Sequence, residues 1–248
     1  MTDAVPSEPG RRKPKAAGRG PVKKKGSKRA ASGSGATASD RAHTIGRIAD
    51  LARSGQHALA IEAATTALAA AGSDAARRLD ILDLRAESYV ALGDLGSAAA
   101  DAAAMLALAK AGKSAAFNAQ AHDRQALIEM RKGESKAALA SATAALEAAR
   151  KSRQSRLIAA SLYRLAEAQY RAKPSEQVAR YATEAAKLFR RLGDASGEGR
   201  ALWVASMMRG HQGRASDGDK AARDALALCR SVGDLYGAGN ALNMLKFH

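Results

Sequence analysis

From about Ala42 to the C-terminus, apolar and polar positions alternate with helical periodicity, and Gly interrupts the pattern every few turns. The interruptions are themselves periodic. Short turns recur at RSGQ, ALGD, RKGE, AKPS and HQGR, centred on Gly55, Gly93, Gly133, Pro174 and Gly213. Five residues after each centre stands a small residue: Ala60, Ala98, Ala138, Ala179 and Gly218. Thirteen residues after each Gly stands Leu68, Leu106, Leu146 or Leu226, and Leu188 follows Pro174 at one residue more. Longer linkers separate the copies: AAGSDAA, KAGKS and the twins LGDASGEG and VGDLYGAG. Each copy therefore predicts a helix, a tight turn, a second helix and a connecting loop. The turn Gly gives the backbone freedom at a helix C-terminus. The small residue lets the second helix press against the first, and the Leu closes its inner face. One helical pair cannot bury its apolar stripe alone, whereas stacked pairs can.

The repeats fall at about 42–72, 77–112, 115–152, 155–192 and 196–232, with a partial copy at 236–248. In that last copy Leu242 matches Leu202 and Leu245 matches Ala205. It has no second helix to cover Met244, Leu245 and Phe247, so its end is expected to fray. A helix this short and weakly charged is a poor cap, which suggests an array interrupted rather than finished.

The stretch LRAESYVALGDLGSAAADAAAML resembles a tetratricopeptide repeat, with Leu82, Ala86, Tyr89, Gly93, Ala98 and Leu106 at the signature positions. The resemblance covers residues 42–248. It departs from the family in the fourth copy, where Pro174 replaces the turn Gly, and in the first, where Leu51 stands for the large aromatic. The period near 40 exceeds the usual ~34. It is similar to the extended repeats of bacterial signalling regulators and kinesin light chains. The resemblance implies an all-α, right-handed α-solenoid whose first helices line a concave groove. The groove positions then fall on Asp80, Asp83 and Glu87 in the second copy, and Arg164 and Arg171 in the fourth. They continue with Arg200, Trp203 and Met207 in the fifth, and Asn240 and Asn243 in the stub. Such a groove is acidic at its start and basic and apolar at its end, suited to an extended or helical peptide. By residue type Trp203, the only Trp, is its anchor. The family's Lys/Asn set for a C-terminal carboxylate is not found in register.

Composition agrees with an all-helical chain. Ala supplies most of the 46% hydrophobic residues, and aromatics are only 4%. Residues 1–40 differ: they hold ten Lys/Arg against Asp3, Glu8 and Asp40, a net of +7 within a total of +16. This Pro-, Gly-, Ser- and Ala-rich segment reads as a disordered basic tail. Its clusters are Arg11, Arg12, Lys13 and Lys15, then Lys23, Lys24, Lys25, Lys28 and Arg29. They suit nonspecific, salt-dependent attraction to nucleic acid, without aromatics to stack on bases.

Catalytic signals are weak. AGKS at Ala111–Ser114 has Ala107 where a phosphate loop needs Gly, and it follows a helix rather than a strand. The five His show no metal-binding spacing. The lone Cys229 excludes an intrachain disulfide and reads as a small buried residue. No signal-peptide core or apolar span appears, so a cytoplasmic, membrane-free protein is expected. The reading is a non-catalytic scaffold without cofactor or metal, binding a peptide or partner domain in a bacterial signalling system. Two alternatives stay open: a nucleic-acid-associated protein that uses its tail, or the N-terminal part of a larger regulatory enzyme such as a nucleotide cyclase or ATPase.

Overall fold

The computed structural model describes residues 38–246. Within them lie eleven helices and no strand. They are α1 (Ala38–Arg53), α2 (His57–Ala69), α3 (Ala75–Leu92), α4 (Leu95–Gly112), α5 (Ala115–Lys132) and α6 (Ser135–Ser152). They continue with α7 (Ser155–Ala172), α8 (Glu176–Arg191), α9 (Ala195–His211), α10 (Ala215–Ser231) and α11 (Leu235–Lys246). Each packs on the next, and α1, α3, α5, α7, α9 and α11 also pack on one another in order. The result is an all-α helical-repeat solenoid. Its odd-numbered helices form the inner layer. Helix α1 takes in Ala38, Ser39 and Asp40, at the end of the segment read as tail.

The turns follow their residues. Gly93 and Gly133 close α3 and α5 at φ of 83° and 79°, a region closed to most side chains. Asp74, Asp94 and Asp194 each accept a backbone N–H in the first turn of the helix they precede. AGKS is such a junction: Lys113 ends α4 with φ of 47°, and Ser114 caps α5.

Small residues set the spacing of the layers. Ala60, Ala98 and Ala138 have no exposed surface, and Gly218 is buried. In the fourth copy the buried residue is Val178, not Ala179, which is only partly covered. Pro174 ends α7 in extended backbone at Lys173, and the register of α8 moves by one residue. The Leu series is likewise off by one. Leu68, Leu106, Leu188 and Leu226 are half-buried, whereas Ala67, Met105 and Ala225, one place earlier, are buried. Only Leu146 is itself buried. The residue facing the partner helix is thus small or flexible, and the Leu fills the flank. At the end of the array Met244 packs against the main core, so α11 is better anchored than its sequence suggests. Phe247 and His248 lie outside the described residues.

Candidate binding chamber

A period near 40 sets equivalent positions side by side on neighbouring inner helices, and the charged residues exploit this. Arg124 on α5 donates from Nε to Asp83 Oδ1 on α3 at 2.7 Å. One repeat on, Arg164 on α7 donates from Nε to Asp123 Oδ2 on α5 at 3.2 Å. Both pairs are 41 residues apart, so one carboxylate–guanidinium step is made twice. The third step is missing because Tyr163 stands where Asp83 and Asp123 stood. The Arg164 guanidinium lies 5.2 Å from the Tyr163 ring centroid instead, and Nη1 of Arg164 reaches Glu167 at 3.0 Å.

On α9, Arg200 makes a two-pronged pair with Asp234, at 2.7 and 2.9 Å. Asp234 precedes α11 and also accepts from Ser196 Oγ at 2.7 Å and from the Gly237 N–H at 3.0 Å. Arg200 thereby fixes the start of α11.

The inner face then closes on itself. Glu87 of α3 reaches Arg124 Nη2 at 3.3 Å and Arg200 Nη1 at 3.4 Å. The second contact spans 113 residues and skips the two inner helices between α3 and α9. Arg131 of α5 donates to the Tyr236 hydroxyl of α11 at 3.0 Å, and the Arg131 and Arg200 guanidiniums lie 5.4 and 5.1 Å from the Tyr236 ring. Leu235 of α11 sits 3.2 Å from where a Cβ on Gly55, in the α1–α2 turn, would stand. A curved array whose late helices reach its early ones partly encloses a space. That chamber, about 640 Å³, is lined by Asp80, Asp83, Glu87, Asp123, Arg124, Tyr163, Arg164, Arg200, Asp234 and Tyr236 among others. Its size falls within the usual range of ligand sites.

Electrostatics divide the lining. Burial raises the Glu87 carboxyl, but the guanidiniums of Arg124 and Arg200 outweigh this and hold it down at about 2. Asp123 goes the other way: burial raises it more than Arg164 and Arg124 lower it. Burial also raises Asp80, with Asp83 adding to it, although Gln120 donates to Asp80 Oδ1 at 3.3 Å. Four buried atoms of the lining residues have no hydrogen-bond partner among the described residues: His57 Nδ1, Asp123 Oδ1, Arg124 Nη1 and Tyr163 Oη. Buried polar groups are seldom left so.

Of the positions predicted from sequence, Asp80, Asp83, Glu87, Arg164 and Arg200 meet in this chamber. The expected separation of an acidic start from a basic end does not hold, because closure brings Glu87 onto Arg200. Trp203 is a correction: it is only 6% exposed and belongs to the core, as its large ring fills space between helices. Met207 packs partly buried against the same core. Arg171 lies outside the lining and pairs with Glu167 at 3.3 Å. Asn243 is exposed and Asn240 half-buried, and neither lines the chamber. Tail positions Arg11 to Arg29 lie outside the described residues.

The sequence reading missed Asp123, Arg124, Tyr163, Asp234 and Tyr236. The first three were within reach, since Asp123 is Asp83 moved by one repeat and Arg124 is Arg164 moved back by one. Asp234 and Tyr236 gave no signal, because only closure of the array brings them inside.

The chain has a tetratricopeptide-like fold. No family model matches it, and no curated protein sequence does. Solved structures do. A Rap protein complexed with competence and sporulation factor superposes with a TM-score of 0.66 at 16% identity, over 84% of this chain and 64% of that one. A signal-transduction ATPase with numerous domains and a tetratricopeptide repeat sensor, from Pyrococcus horikoshii, gives 0.58 at 16% identity, over 84% and 32%. BtubC (BKLC) from P. vanneervenii gives 0.52 at 15% identity, over 82% and 90%. This chain thus spans under two thirds of the Rap protein's length and about one third of the ATPase's. Such identities speak to the fold and not to the chemistry.

Proposed function

We propose that this chain is a non-catalytic interaction scaffold that receives a peptide segment of a partner in its inner chamber, as a regulatory module of a signalling system. One observation carries the reading: the inner layer partly encloses a chamber of about 640 Å³ whose lining contains buried polar atoms left without partners. Leaving a buried donor unpaired costs about 1–3 kcal/mol, a cost that a ligand group can remove. The likeness to a Rap protein in complex with competence and sporulation factor, and to a sensor-bearing ATPase, supports a binding and regulatory role. No helix among the described residues is long and apolar enough to cross a membrane, and no metal-binding cluster occurs among them.

Photocrosslinking tests the proposal. Benzoylphenylalanine at Arg156, an exposed residue on the chamber lining, should capture a partner peptide from cell extract. The same group at Ala103, exposed on the outer helix α4, should not. Equal capture from both positions would place the partner elsewhere.

A further inference from the structure

Two of the chamber arginines, Arg200 and Arg124, are only partly committed to partners of the fold. Arg200 uses Nε and Nη2 on Asp234 at 2.7 and 2.9 Å and has Nη1 left for Glu87 at 3.4 Å. Arg124 uses Nε on Asp83 at 2.7 Å and has Nη2 left for Glu87 at 3.3 Å, while Nη1 has no partner. Each guanidinium is thus held short on one edge by a carboxylate of the fold. Each offers its remaining N–H groups, at longer distance, to one shared carboxylate. A planar fork held on one edge and open on the other is how guanidinium sites recognise carboxylates. Glu87 is also the least buried partner in the cluster: its side chain keeps 32% of its surface exposed, against 0% for Asp234 and 6% for Arg124. It can turn to solvent without leaving a buried charge. The positive potential at its carboxylate outweighs the cost of burying it there, as its strongly lowered pKa shows.

We propose that Arg124 and Arg200 form a carboxylate-binding site whose present occupant is the chain's own Glu87. An incoming carboxylate ligand then competes with Glu87 and, on binding, undoes the contact that joins α3 to α9. Arg124 Nη1, buried and unpartnered, supplies a further donor that Glu87 does not engage. The inference rests on the chamber being the binding site and adds both the chemistry of the ligand and the way in which the fold holds that site shut.

The test needs no partner protein. Succinate is titrated into the full chain, as wild type and as Glu87→Gln, while the side-chain Nε–H resonances of Arg124 and Arg200 are followed by NMR. The neutral analogue succinamide is the control. In Glu87→Gln succinate should shift both resonances and bind at least about tenfold more tightly than in wild type, the factor that corresponds to about 1.4 kcal/mol of lost competition. Succinamide should shift neither. No succinate-dependent shift in a variant that is folded by circular dichroism overturns the site. Equal binding by wild type and variant overturns the role of Glu87 as occupant. Glu87→Ala serves in the same way should the Gln variant fail to fold. Because the readout is a dicarboxylate and not a partner, its failure is distinct from failure of the crosslinking experiment.

Discussion

A Cβ added to Gly199 of α9 would stand 2.6 Å from Cys229 Sγ and 3.0 Å from the Ala225 carbonyl oxygen, both on α10. Gly199 is therefore in contact with its neighbour through bare backbone. Gly199→Ala should destabilise the fold by about 1–3 kcal/mol, as overpacked cores do. Gly239→Ala on α11, where a Cβ meets nothing, should stabilise by about 0.5–1 kcal/mol through helix propensity. Urea denaturation of both variants checks the pair.

Cys229 has no exposed surface. Burial, with the nearby Asp234 carboxylate, pushes its thiol up to about 12. The thiolate is the reactive form, so the native protein should leave Cys229 unlabelled by a thiol reagent such as Ellman's at pH 8 and react fully once unfolded. Fast labelling of the native chain would contradict the packing described for α9, α10 and the start of α11.

Trp203 is the only Trp, which makes it a clean reporter. Its burial predicts blue-shifted emission that moves to the red on unfolding. Trp203→Ala should cost about 3–5 kcal/mol of stability, as for other large buried aromatics. A variant of wild-type stability that loses only partner binding would restore the anchor role read from the sequence.

The pH dependence of stability has a definite sign at Glu87. Its carboxyl is lowered in the folded chain from an ordinary 4.5 to about 2. It therefore favours folding when ionised, fully above about pH 4.5, and that contribution is lost as pH falls towards 2. With a third of the side chain exposed, the effect is screened, and about 1 kcal/mol is expected. Wild type should exceed Glu87→Gln in stability by that amount at pH 7, and the gap should narrow on acidification. Asp123 and Asp80 act in the opposite sense, since burial raises both.

Much of this protein was legible in one sequence. Turn Gly residues near 40 apart, with small residues five places on, specify helical hairpins that must stack, because each alone leaves its apolar face in water. The same period carried Asp80, Asp83, Glu87, Arg164 and Arg200 to the inner face. Such repeat logic works because it is local: each unit touches chiefly its neighbours. It slipped where one residue alters a local geometry, as Pro174 does in moving the buried position from Ala179 to Val178.

Tertiary structure decided what the local logic cannot reach. Whether Trp203 faces ligand or core depends on how far its helix is rotated, and a large ring suits either place. Whether an acidic surface and a basic one lie apart or meet depends on curvature summed over several repeats. A small rotation per repeat, repeated across α3, α5, α7 and α9, brings Glu87 to Arg200 and Arg131 to Tyr236. The sequence determined the helices, their order and the repeat that sets Asp80, Asp83, Glu87, Arg164 and Arg200 on the inner helices. The accumulated curvature made that face a partly enclosed chamber, because contacts 113 residues apart depend on every packing angle between them.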